Sequence, residues 1–192
     1  MSLQNFQNKM KKISICRILY IEKLFEEERS ESVKNNQKFE YYVSEYIDML
    51  YKLAFAYLKS YDDSNDVVQN VLLNFYRTNK EFENDEHIKF WLIRCTINEC
   101  KKLWRTSWYR LVTFEEVVAN NEEDTEFNID LLNAIMSLDR KYRVVIVLYY
   151  IEDYKINEIA KVLRLPVGTV GSRLSKAKDK LKNYLKGDDR FE

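Results

Sequence analysis

The chain has 192 residues, with 31 basic and 31 acidic side chains, one histidine, three cysteines, three glycines and one proline. That length admits one domain or two small ones, and breakers this rare point to an almost wholly helical protein. Cys16, Cys95 and Cys100 lack C-x-x-C spacing and His87 stands alone, which argues against a zinc site or a Cys–His nucleophile and fits a reducing cytoplasm.

Residues 1–38 read as an N-terminal extension, partly helical or disordered. Within it, residues 13–25 are apolar but interrupted by Arg17, Glu22 and Lys23. With no small-residue cleavage site, this stretch is an amphipathic helix rather than a signal peptide, and no run reaches the length of a membrane span. Residues 26–38 are polar and mixed in charge, the composition of a linker or frayed helix.

A first helical domain is expected over residues 39–111. Tyr42, Tyr46, Met49, Leu50, Leu53, Ala54 and Tyr57 repeat at helical spacing and predict one buried stripe. Residues 61–66 read as a polar break that caps a second helix over 66–79, with Val67, Val68, Val71, Leu72, Phe75 and Tyr76 inward. A loop over 80–86 precedes a third helix over 87–108, whose stripe begins Ile88, Trp91, Leu92, Cys95. An acidic linker over 112–127 follows, then a second domain over 128–186 and a short tail over 187–192. The fold class is therefore all-α, two small helical domains joined by an acidic flexible linker.

Charge is neutral overall but sorted along the chain. Residues 89–110 carry six basic groups against one acid, and residues 166–186 again six against one, each a net +5. Residues 112–130 hold seven acids and no base. Two cationic blocks around an anionic one predict two anion-binding surfaces on a jointed molecule.

The most informative stretch is residues 156–174, an apolar-faced helix, a turn and a second helix that becomes basic. This is the pattern of a helix-turn-helix, whose second helix enters the major groove of DNA. Pro166, Gly168 and Gly171 are expected to form the turn, with Pro166 suited to the first helical position. Thr169, Ser172, Arg173 and Lys176 fall on successive turns near the start of that helix, the part that reaches base edges. Lys178, Lys180 and Lys182 supply sequence-independent attraction.

Two motif sets in this order resemble bacterial RNA polymerase sigma factors of the extracytoplasmic-function (ECF) group, over roughly residues 39–185. One is Asp66-Val67-Val68-Gln69-Asn70-Val71, then Phe82, then Trp91 to Asn98 with Arg94 between, similar to the family's region two. The other is the run from Pro166 to Leu174, similar to region four. The resemblance implies a cytoplasmic protein without cofactor or metal that binds core RNA polymerase, through clamp helices and flap, and promoter DNA. It also implies an anti-sigma partner. By the same resemblance Asp66, Gln69 and Asn70 contact polymerase. Phe82 and Asn98 line a pocket for a base extruded at the minus-ten element, where extrusion costs a few kcal/mol that the pocket must offset. Lys80 and Asn84 neighbour that pocket, while Lys101, Lys102, Arg105 and Arg110 lie along phosphates. Trp104 is expected to pack, and the acidic linker to mimic nucleic acid in the polymerase channel. Gly171 departs from the family, which usually carries Lys or Arg there.

The competing class is a stand-alone helix-turn-helix regulator that does not bind core polymerase. It accounts for the second domain but gives Gln69, Trp91 and Asn98 no purpose. An enzyme is disfavoured, since the sequence carries no phosphate loop, metal cluster or nucleophile constellation.

Overall fold

The computed structural model describes residues 33–105 and 126–185, with side chains from Lys38 and from Leu131 onward in the two stretches. The amphipathic N-terminal segment, Trp108, Arg110, residues 112–125 of the expected 112–127 linker and the tail over 187–192 lie outside the described residues, while residues 126 and 127 of that linker are helical. Seven α-helices account for nearly all that is described: α1 (Val33–Leu58), α2 (Tyr61–Arg77), α3 (Asp85–Trp104), α4 (Glu126–Ser137), α5 (Arg140–Ile146), α6 (Ile156–Leu163) and α7 (Val167–Leu185). A π-helical turn, Val147–Ile151, extends α5. Among the described residues there is no strand.

Helix α1 begins within the segment expected to be a linker, and its predicted stripe is buried except Tyr46, which is half-buried. The break after it is shorter than the polar composition suggests. Lys59 alone turns left-handed (φ 60°) and donates its N–H to Phe55 O at 2.8 Å. Ser60 then caps α2, its side chain accepting from the Asp63 N–H at 3.3 Å. Asp62 and Asp63 occupy the first turn, where the positive end of the helix dipole favours acids. The expected break over 61–66 is therefore helix, because Ser60 supplies the cap one residue before it.

Helix α3 starts at Asp85 because Asn84 Oδ1 accepts the His87 N–H at 2.8 Å. It is buried more widely than one stripe: Ile88 and Leu92 are joined by Ile93, Thr96, Ile97 and Cys100. The reason is that α3 meets α1 and α2 on one side and α6 on another.

One continuous apolar core runs from Leu50, Leu53, Val71, Leu72, Leu92 and Ile93 into Val145, Leu148, Ile159 and Val170. Each such side chain, fully buried, contributes about 1.5–3 kcal/mol of transfer free energy. The α1–α3 and α4–α7 units share this core and pack against one another. Tyr154 OH donates to Met49 Sδ at 3.6 Å, and Lys52 Nζ lies 3.3 Å from Glu152 Oε1. Lys89 Nζ sits 4.6 Å from the Tyr154 ring centroid. The Arg140 guanidinium lies 4.6 Å from the Tyr57 ring and 4.3 Å from that of Trp104, so Trp104 packs, as expected, but against the other unit.

Arg143, only 3 % exposed, closes this contact. Its Nε donates to Ala56 O, while Nη1 donates to Met136 O at 2.7 Å and Leu138 O at 3.2 Å. Ala56 and Met136 fall in the last turns of α1 and α4, where carbonyls lack intrahelical partners and a cation is favoured by the dipole. One guanidinium caps two helix ends, one from each unit. Burial, and secondly Arg140 nearby, pushes its pKa down to about 10, so it stays charged.

Candidate nucleic-acid interface

Helix α6 opens with Glu158 Oε2 accepting the Lys155 N–H at 2.8 Å, and its buried face is Ile159, Ala160 and Val162. It ends at Arg164, which is left-handed at φ 54° and ψ 51°. There the Leu165 N–H bonds Ala160 O at 3.0 Å and the Arg164 N–H reaches Lys161 O at 3.4 Å, the paired pattern of a Schellman cap. Pro166 O then accepts from Thr169 N–H at 2.9 Å and Val170 N–H at 3.2 Å.

This geometry corrects the expected turn. Gly168 and Gly171 lie inside α7, and Pro166 precedes its first residue. The left-handed position falls to an arginine, although a non-glycine residue there costs roughly 1–2 kcal/mol. The hydrogen bonds of the Schellman cap, and Leu165 packed partly into the core, offset that strain. The helix-turn-helix itself stands as expected.

Val170, Leu174 and Ala177 of α7 are buried, so the helix presents its other sides outward. Ser172 and Lys176 are exposed, and Thr169 and Arg173 half-buried. Ser172 Oγ donates to Thr169 O at 3.0 Å, which leaves its lone pairs free to accept. A Cβ built at Gly168 or Gly171 meets nothing within 4 Å; neither glycine is demanded by packing.

In the first unit, Phe82 lies half-buried in the α2–α3 loop. Its ring sits 6.0 Å from Phe75, 5.6 Å from Trp91 and 5.5 Å from His87, all between centroids. Lys80 Nζ lies 5.4 Å from the Phe82 centroid. The structure thus joins Lys80 to Phe82 and adds His87 and Trp91 to the same aromatic wall. Asn84 accepts the cap bond through Oδ1, leaving its NH₂ and one carbonyl lone pair for another partner.

Asn98, Lys101 and Lys102 are exposed on α3, as is Arg105 at its C-cap. Arg94, Asn98, Lys101 and Arg105 recur at i, i+4, i+7 and i+11, one stripe of the helix. Lys102 Nζ lies 3.7 Å from Glu99 Oε2, a surface pair of little energetic weight. Burial dominates at the Cys95 thiol and raises its pKa to about 11, although Lys80 and Arg94 both pull it down. Lys80 of the preceding loop therefore lies close to Cys95 of α3. On α2, Asp66 and Asn70 are exposed and Gln69 half-buried, opposite Val67, Val68, Val71 and Leu72. Among the described residues no cluster of His, Cys, Asp or Glu could hold a metal, and no helix is long and apolar enough to cross a membrane.

Residues 42–110 match the family described as Sigma-70 region 2, and residues 129–181 the one described as Sigma-70, region 4. The ECF RNA polymerase sigma factor SigW of Bacillus subtilis is 28 % identical over 160 residues, covering 73 % of this chain and 85 % of that protein. RNA polymerase sigma factor SigV of the same organism is 31 % identical over 145 residues, covering 72 % and 86 %. Among solved structures, sigma factor RpoE of Bartonella quintana in complex with the anti-sigma factor NepR superposes with a TM-score of 0.68 at 23 % identity, over 79 % of this chain and 99 % of that one. CnrH in complex with the cytosolic domain of CnrY gives 0.61 at 26 % identity, over 81 % and 92 %.

Proposed function

Since this chain belongs to the sigma-70 family, in the group of extracytoplasmic-function sigma factors, we propose that it directs promoter recognition and transcription initiation by RNA polymerase. The observation that carries this reading is the pair of family matches, in order, on the α1–α3 and α4–α7 helices, the latter holding the helix-turn-helix. A stand-alone regulator accounts for the second match alone.

In this reading the domain over 39–111 engages the polymerase clamp helices through Asp66, Gln69 and Asn70. It holds the melted minus-ten strand with Phe82, Asn98, Lys80 and Asn84. An extruded base would rest against the aromatic wall of Phe82, while Lys101, Lys102 and Arg105 follow the phosphates. The domain over 128–186 docks on the flap and reads the minus-thirty-five element with Thr169, Ser172, Arg173 and Lys176. The protein acts in the cytoplasm as a dissociable specificity subunit with no catalysis of its own. Because the RpoE structure holds an anti-sigma factor on the same fold, a partner of that kind belongs to the proposal.

Run-off transcription with purified core polymerase across a promoter library tests it. Start sites absent from core alone are expected, and Phe82→Ala and Asn98→Ala should reduce open-complex formation at them. Failure to co-elute with core, or transcription from the same sites as core alone, overturns the reading.

A further inference from the structure

The surface of α7 resolves into stripes. Val170, Leu174, Ala177 and Leu181 face the core, the first three buried and Leu181 partly so. Thr169, Arg173, Lys176 and Lys180 recur with the same 4-3-4 spacing along one edge, and Gly171, Ser175, Lys178 and Lys182 along the opposite edge. The first edge carries Thr169, Arg173 and Lys176 of the recognition set; the second carries none of it.

That second edge is backed by aromatic rings. Lys178 Nζ lies 5.4 Å from the Tyr150 ring centroid and 5.8 Å from that of Tyr149. The two rings meet edge-on at 4.9 Å and 76°. Both come from the π-helical turn Val147–Ile151, whose first two residues close a run of seven consecutive buried positions ending at Leu148. An extra residue in a helical turn rotates the side chains after it, and such turns gather at functional sites. Here Tyr149 is half-buried and Tyr150 is 56 % exposed beside the lysine. Tyr150, and after it Tyr149, favours the charged form of the lysine. A lysine leaning on rings has already lost part of its rotamer freedom, so binding orders it at less cost.

A helix with its side chains is about 10–12 Å across, and the major groove is about 12 Å wide. A helix seated there has a phosphate strand along each edge. We propose that Tyr150 and Lys178 form a phosphate contact on the DNA strand across the groove from Arg173, extending the interface beyond the recognition residues. This rests on the reading that α7 enters the major groove. The contact is blind to sequence, since phosphates carry none. It sets affinity and register, and Arg173 sets choice.

The test uses the full chain bound to core polymerase and two labelled duplexes, one carrying a start site from the run-off screen and one with its upstream element scrambled. Lys178→Gln should weaken both by the same factor, about 2- to 5-fold, as expected for an exposed ion pair. It should also flatten the slope of log K against log salt by about 0.9. Gly171→Lys, placed on the same edge where a side chain meets open space, should steepen that slope by about 0.9. Tyr150→Phe should weaken both duplexes and leave discrimination intact. Arg173→Gln is the control, expected to lower discrimination between the duplexes.

Unchanged affinity and slope in both Lys178→Gln and Gly171→Lys, with Arg173→Gln behaving as expected, overturns the phosphate contact alone. A Lys178→Gln protein that loses discrimination instead makes Lys178 a base reader and also overturns it. An Arg173→Gln protein indistinguishable from wild type on both duplexes overturns the groove reading beneath the proposal.

Discussion

Replacing Arg143 by methionine keeps the aliphatic volume and removes every donor. Three carbonyls, Ala56 O, Met136 O and Leu138 O, then lose their partner in a site where the arginine is 3 % exposed. A hydrogen bond to a charged group contributes roughly 1.5–3 kcal/mol, and an unsatisfied buried acceptor costs about 1–3 kcal/mol. Against this stands relief of the buried charge, itself worth several kcal/mol. The net expectation is a loss of about 3 kcal/mol, which at a slope of about 2 kcal/mol per molar moves a urea midpoint down by about 1.5 M. Because Ala56 belongs to the other helical unit, the loss should also reduce cooperativity, with the α4–α7 unit melting at lower urea than α1–α3. Arg143→Lys should restore only part of the stability, since one ammonium cannot reach carbonyls at two helix ends. Urea unfolding measured by circular dichroism and tryptophan fluorescence reads both effects. A single coincident transition within about 0.5 kcal/mol of wild type, a difference of the size expected from surface substitutions, would refute the cross-unit cap.

Three further outcomes are expected from the same geometry. The Lys52–Glu152 pair is mostly buried, with side chains 15 % and 13 % exposed, yet Glu152 Oε1 takes no directed hydrogen bond. Its attraction is therefore Coulombic, and Lys52→Met, Glu152→Gln and the double variant should give a coupling of about 1 kcal/mol in a urea double-mutant cycle. Gly171→Ala should raise stability by up to about 1 kcal/mol through helix propensity, read from the same denaturation curves, because nothing lies within 4 Å of the added carbon. Burial raises the Cys95 and Cys100 thiols from 9.0 to about 11 and about 12. The fold therefore favours their protonated forms, a contribution fully present below about pH 9 and lost as pH rises through about 11 and 12. Unfolding midpoints should fall over that window, and peptide mapping after iodoacetamide at about pH 8 should find both thiols largely unmodified.

Much of the second unit was legible in the chain. The 4-3-4 recurrence of Val170, Leu174, Ala177 and Leu181 declares the inward face of α7, and Pro166 marks where that helix begins. Glycine does not mark the turn here. Gly168 and Gly171 are helical, whereas the left-handed positions fall to Lys59, Asp153 and Arg164, where an L side chain is disfavoured. Those conformations are imposed by helix caps and by packing around them. The same holds at Ser60, a single residue that caps α2 where a longer polar break was expected.

The Phe82 site was partly legible. Sequence placed Phe82 in a loop and Asn98 on a helix, and the resemblance linked them. It could not show that Phe75, Trp91 and His87 surround Phe82, since those contacts join α2, α3 and the loop between them. Asn84 showed the converse limit: its residue type suits a base contact and a helix cap equally, and only the 2.8 Å bond from His87 reveals the cap.

The amino-acid order by itself determined helix, face and charge, because these depend on neighbours within a turn or two: periodic apolar residues, capping side chains and cationic runs. Only the tertiary structure decided how the two units meet. Arg143 is one more basic residue until three carbonyls converge on it, two of them at helix ends separated by some eighty residues of chain. Tyr150 is one more aromatic until Lys178 lies against it. Contacts of that kind arise from the folding of distant segments onto a shared core, and no local pattern encodes which distant group will arrive.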